Sequence, residues 1–279
     1  MSSTCRHYLL RLISLVLLVL TLTACAGKGS TPAHSQDFGI FLGVSDEDIY
    51  DRSRGYELIV TDGQDISAET VQKLKDDRHV VYGYLSIGSL ETYRPYYDEF
   101  KEIALARYEN WPDEYWIDVS DHDWQAFVIN TLAPDLKARG FDGVFIDNTD
   151  VYYNYPTENT YDGLKGIITG ISRLGLPIMI NGGDQFVTQL IEEGNAGLIK
   201  SICQESVFSR IEDYERGIFA RQDQDETKYF KKYVENAAEN GIDIYLIEYS
   251  RDETIRAKAE EYCANKGFHC FTSESVRLD

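Results

Sequence analysis

"GVFIDNTD", residues 143–150, begins as a buried strand and ends as a polar cluster: Val144, Phe145 and Ile146 run straight into Asp147, Asn148, Thr149 and Asp150. Neighbouring residues of a strand point to opposite faces, so a strand apolar on both faces is covered on both. An unpaired carboxylate cannot stay in such surroundings without a large desolvation cost. Burial must therefore end at Asp147. In a parallel α/β barrel that place is the C-terminal rim, where the strands open onto a cleft.

The pattern recurs along the chain. Strand candidates are 37–44, 57–63, 79–88, 141–147, 177–183, 197–206, 243–250 and 268–275, and amphipathic segments separate them. Ser67 suits a helix N-cap ahead of Val71 and Leu74. A helix is expected over about 95–108, and Pro134 predicts a break in the helix that ends at Gly140. Eight strands alternating with helices in about 243 residues predict one (β/α)8 barrel, the TIM-barrel form of an α/β fold, over residues 37–279. There is no G-x-G-x-x-G after the first strand, no phosphate-binding G-x-x-x-x-G-K and no G-x-S-x-G elbow.

The N-terminus has its own chemistry. Arg6, His7 and Arg11 precede an apolar run from Leu12 to Leu22, too short to span a membrane comfortably. "LTAC" (22–25) then resembles a bacterial lipoprotein signal, which implies a signal peptide over 1–24 and acylation of Cys25. The small and polar stretch up to residue 36 reads as a flexible tether. The expected location is extracytoplasmic, anchored to a membrane by lipid.

The chain holds 47 Asp and Glu against 27 Lys and Arg, a net charge of −20. Such a surface repels nucleic acid and favours neutral or cationic partners. Cys203 reads as a core thiol, while Cys263 and Cys270 are close enough in sequence to pair. None of the five histidines forms a His-x-His or H-E-x-x-H pair. No metal and no cofactor are expected.

The predicted strand ends carry Asp62, Ser86, Asp147, Asn148, Asn181, Glu205, Glu248, Tyr249 and Ser273. On a barrel these converge. Asp147, Glu205 and Glu248 directly follow strand residues, and two carboxyl groups across a cleft suit glycoside cleavage.

These residues also carry a resemblance. "VYGYLSIGSLETYRPYYDEF" (81–100), "WPDEYWIDVSD" (111–121), "GFDGVFIDNTDVY" (140–152), "QES" (204–206) and "IEY" (247–249) resemble, in this order, glycoside hydrolase family 114. That family includes endo-α-1,4-polygalactosaminidases. The resemblance implies a catalytic Asp at the fourth strand, Asp147, and a catalytic Glu at the sixth, Glu205. By analogy with neighbouring α-glycosidase barrels, Asp147 attacks the anomeric carbon and Glu205 serves as acid and base, with retention. The expected substrate is a cationic amino-sugar polysaccharide. Asp62, Asp118, Asn148, Asp150, Asn181 and Glu248 are expected around it, with Tyr84, Trp116, Tyr152 and Tyr249 stacking on sugar faces. Residues 148–155 are expected to form a mobile rim loop. Two departures bear on the substrate: Asn181 follows Ile rather than Lys, and no Pro precedes Asp147. Cleavage of a neutral α-galactoside, and glycan binding without cleavage, remain the alternatives.

Overall fold

The structure is a computed structural model, and it describes residues 36–279. The expected signal peptide, Cys25 and nearly all of the expected tether lie outside the described residues. Among those described, no helix is long and apolar enough to cross a membrane.

Eight parallel strands form one sheet in chain order: β1 Gln36–Phe41, β2 Tyr56–Asp62, β3 Val80–Ser86, β4 Gly143–Asp147, β5 Ile178–Asn181, β6 Ser201–Glu205, β7 Asp243–Tyr249 and β8 His269–Ser273. Helices Ala68–Asp76, Glu158–Arg173, Asp184–Glu192, Gln224–Glu239 and Glu253–Lys266 connect them on the outside. The predicted barrel is present.

Strand parity separates two cores. Phe38, Ile40, Leu58, Val60, Tyr82, Tyr84, Phe145, Met179, Cys203, Ile247 and Tyr249 pack together inside the barrel. Val144, Ile146, Ile178, Ile180, Ile202, Ile244 and Leu246 face the helices. Gly143 faces inward where a Cβ would sit 2.4 Å from the Tyr82 ring, so its missing side chain makes room for that ring. Cys203 is a buried interior thiol, as expected.

The helix starts follow the sequence signals. Ser67 Oγ accepts from Thr70 N–H at 3.2 Å, Asp121 caps Trp124 at 2.9 Å and Thr157 caps Thr160 at 3.1 Å. Each such cap stabilises its helix by about 1 kcal/mol. The break expected near Pro134 is a π-helical turn, Val128–Leu132, after which helix Ala133–Ala138 restarts with Pro in its first turn.

Three segments depart from expectation. The helix expected over 95–108 is one turn, Tyr97–Phe100, a 3-10 turn and then a strand, Ala104–Arg107. That strand joins Ser89–Glu91 and Glu114–Ile117 in an antiparallel sheet of three strands beside the barrel mouth. Ala104–Arg107 leaves helical spacing because the aromatic-rich strand Glu114–Ile117 offers it an antiparallel partner. A second hairpin, Ser209–Asp213 with Ile218–Arg221, follows β6. Residues 151–154 form a helical turn whose Val151 is fully buried, not a free loop.

The barrel closes without a hydrogen-bonded ladder between β1 and β8 among the described residues. Side chains bridge that seam. His269 Nδ1 lies 3.1 Å from Asp37 Oδ2, and the Phe38 and Phe271 ring centroids are 5.9 Å apart. The C-terminal residues cross the rim, where Gly43 N–H donates to Leu278 O at 3.3 Å.

Candidate active site

The C-terminal rim opens into a cleft of about 1500 Å³. That exceeds the roughly 300–1000 Å³ of ordinary small-molecule pockets and leaves room for several linked sugars. Its floor carries Asp147 from β4, Asn181 from β5 and Glu205 from β6. All three share the inward parity of Phe145, Met179 and Cys203, so alternation along neighbouring strands aims them at one point.

One amide joins the two acids. Asn181 Nδ2 donates to Asp147 Oδ1 at 3.0 Å and to Glu205 Oε1 at 2.8 Å. Asp147 also accepts from Asn148 N–H at 2.9 Å. The Tyr84 hydroxyl beside it donates to Glu91 Oε1 at 3.4 Å, and the Tyr249 hydroxyl lies near Glu205. Burial pushes both carboxyls above their ordinary range, and these hydrogen bonds oppose the rise. The charge of Asp147 raises Glu205 further. Asn181 Oδ1 is buried without a protein partner.

Four other acids of the cleft fall into two groups. Asp62 and Glu91 share one cation: Arg94 Nη2 is 2.9 Å from Asp62 Oδ2, and its Nε bonds Glu91. Among the described residues, Glu114 and Asp150 have no such partner. Glu114 stands opposite Glu91 on the antiparallel pair and accepts only from Ser89 Oγ, at 3.0 Å. Burial, with Glu91 and Asp147 nearby, pushes Glu114 up to about 8. Burial and the charge of Asp147 push Asp150 up to about 7, against one hydrogen bond from Gly183 N–H.

Several expected ligand residues take other roles. Glu248 has outward parity, one residue before the inward Tyr249. It is fully buried behind the rim, where it accepts from the backbone N–H groups of Val207, Phe208 and Ser209 at 2.8–3.0 Å and from Ser209 Oγ at 2.6 Å. It is an anchor for the loop after β6, out of reach of the cleft. Trp116 is 3% exposed, stacked on Tyr108 with centroids 4.3 Å apart, and does not line the cleft. Asp118 also lies outside it and closes a turn on Ser120. Tyr152 turns away to bond Gln189 at 2.7 Å.

Tyr84 and Tyr249 do line the cleft, but as buried floor residues stacked on Phe145 and Phe219 rather than as exposed sugar platforms. Asn148 lines it with φ +62° and spends both amide hydrogens on Ser86 Oγ and Ser89 Oγ. A Cβ on Gly88 would come within 1.8 Å of Asn148 O, so only glycine admits this turn. Exposed aromatics at the cleft come instead from Tyr93, Tyr153 and Tyr229. Glu114 and Tyr93 lie in the inserted segment after β3, and their distance from any strand end hid them from rim-based reasoning.

The raised carboxyls set a pH dependence of stability. Glu114, pushed up to about 8, and Asp150, up to about 7, are protonated in the fold and ionised in the unfolded chain between about pH 4.5 and 7–8. The folded state binds more protons in that window, so stability falls as pH rises through it. A carboxyl lowered by its neighbours, such as Glu193 at about 2, acts below that window. Tm is expected to be several degrees higher at pH 5.5 than at pH 8 in calorimetry. A Tm that rises over this interval would contradict the placement of these acids.

Comparisons with known proteins agree with this fold. The profile of glycoside-hydrolase family GH114 matches residues 19–273. The glycoside hydrolase domain of PelA from Pseudomonas aeruginosa superposes with a TM-score of 0.70 at 19% identity, covering 88% of this chain and 96% of that one. Aspergillus fumigatus Ega3, solved in complex with galactosamine, gives 0.69 at 18% identity, covering 90% and 95%. The α-galactosidase TtGalA of Thermus thermophilus gives 0.55 at 9% identity, covering 85% of this chain and 58% of that one. An uncharacterised protein of Deinococcus radiodurans is 29% identical over 110 residues, 36% of this chain and about a third (35%) of that relative's length.

Proposed function

Because this chain belongs to glycoside-hydrolase family GH114, we propose that it cleaves an α-linked, galactosamine-containing polysaccharide with Asp147 and Glu205 as its carboxyl pair. One observation carries the pair: a single Asn181 amide holds both acids across the floor of the cleft. Two oxygens bound to one nitrogen at these lengths lie closer than the about 6.5–9.5 Å that inverting pairs leave for water, which favours retention.

Electrostatics support a division of roles. Asp147 accepts from Asn181 and from Asn148 N–H, while Glu205 accepts from Asn181 alone and is raised further by the Asp147 charge, which favours Asp147 as the ionised partner and Glu205 as the proton carrier. Asp147 attacks the anomeric carbon while Glu205 protonates the departing oxygen. Esterification removes the charge of Asp147, the Glu205 pKa drops, and Glu205 takes a proton from the water that completes hydrolysis.

The electrostatics support a cationic sugar. Glu114 and Asp150 line the cleft with no ion pair among the described residues, and an ammonium group beside them would favour their ionised forms. Asn181 Oδ1 offers a further acceptor. The lipid anchor expected at Cys25 belongs to the same proposal, and it would hold the cleft beside the membrane.

Incubation with deacetylated and acetylated α-galactosamine polymer, read by reducing ends and mass spectrometry, tests the substrate. Cleavage of the deacetylated polymer is expected, with kcat/KM falling about tenfold between 50 mM and 500 mM salt as long-range attraction is screened. Equal cleavage of neutral galactan, insensitive to salt, would overturn the amino-sugar preference and leave a neutral glycosidase. Glycan binding without new reducing ends would overturn hydrolysis itself.

A further inference from the structure

We propose that Cys263 and Cys270 form an intramolecular disulfide that staples the last helix to the seam strand of the barrel. Cys263 lies in helix Glu253–Lys266 and faces the sheet; Cys270 lies on β8 with outward parity and faces the helix. The Cys263 thiol donates at 3.7 Å to the carbonyl of His269, the residue just before Cys270. The two cysteines are thus neighbours, and both are free in this structure. Both line a shallow pocket of about 350 Å³ at the end of the barrel opposite the cleft, with Asp37, Tyr56, Glu260 and Phe271 around it. Cys203 has neither a thiol neighbour nor an opening; it is fully buried in the barrel interior.

The position explains what a cross-link would do. β8 is hydrogen-bonded to β7 on one side only, because no ladder joins it to β1 among the described residues. It is the natural place for local opening. A bond from β8 to the helix packed on it closes a loop of only a few residues and restrains that edge.

The reaction is thiol–disulfide exchange with a small-molecule or protein disulfide. The Cys270 thiolate, the more exposed, attacks the oxidant's disulfide and expels one thiolate. The Cys263 thiolate then attacks the Cys270 sulfur and expels the second. The cysteines lose two electrons and two protons, and the oxidant leaves as two thiols. The neighbouring Cys263 thiol, then burial, then the Glu248 and Glu260 charges raise the Cys270 thiol, so the reaction accelerates as pH rises.

The full chain, equilibrated in oxidised glutathione, alkylated and digested without reductant, should yield one peptide pair joined at 263 and 270, with Cys203 alkylated only after unfolding. Adding reductant should lower Tm by about 5–10 °C, as expected for a short loop in a chain of this size. C263S and C270S should lose that dependence while hydrolysing substrate normally, which keeps the outcome separate from the proposed activity. Free thiols at both positions, glutathione retained on Cys270 alone, or a Tm unmoved by reductant would each overturn the staple.

Discussion

Glu205→Gln and Asp147→Asn should each reduce hydrolysis of deacetylated galactosamine polymer by at least about 10³-fold, within or beyond the 10²–10⁴-fold usual for a lost acid–base group. Both replacements keep the side-chain shape and remove only the ionisable oxygen. The fold should survive, because both carboxyls are raised by burial and a neutral amide costs less to bury than a charge. Circular dichroism and Tm should therefore match the parent or exceed it. The two variants should differ in pH profile. Asp147→Asn removes the charge that raises Glu205, so any residual activity should fall at lower pH than in the parent. Near-normal turnover in either variant would remove that residue from its role and leave Asn181 bridging two structural acids.

Glu248→Ala should be the most destabilising single substitution near the site. Three backbone N–H groups and one hydroxyl converge on this carboxylate in a fully buried position. Each donor left unsatisfied costs about 1–3 kcal/mol, and water entering the space recovers part of the sum. A net loss of about 4 kcal/mol is reasonable, which lowers Tm by about 8–16 °C in a chain of this size. Activity should fall too, because the freed loop begins at Ser206, directly after Glu205 and itself at φ +59°. Hydrogen exchange at residues 207–209 should accelerate in step. Glu248→Gln keeps one acceptor oxygen but turns an N–H against donors, so an intermediate loss is expected. A Tm within 2 °C of the parent for Glu248→Ala would sink this account.

Glu248 also shows how far sequence reading reached. "IEY" places Glu248 and Tyr249 side by side, and either could have been the inward residue. The parity is decided by β7 as a whole, where Tyr245, Ile247 and Tyr249 face in. A one-residue difference sends a side chain to the other face, which turned an expected ligand residue into a loop anchor. Trp116 and Asp118 failed for another reason. Their segment folds into a separate antiparallel sheet whose strands are too short to carry a clear period. The same sheet delivers Glu114 to the cleft, and nothing local marks Glu114 as different from the other acids of the chain.

The eight-strand barrel, the Ser67 cap and the arrival of Asp147, Asn181 and Glu205 at one rim are legible in the chain itself. Each of these follows from local periodicity and from strand ends, which are properties of a few neighbouring residues. Only the tertiary structure decided which acids are compensated. Arg94 neutralises Asp62 and Glu91, Glu248 is satisfied by a loop some forty residues earlier, and Glu114 and Asp150 are left without a cation. Charge compensation acts through space between residues remote in the chain, so no local pattern encodes it. It is also what separates the acids that hold the fold from those that await a ligand.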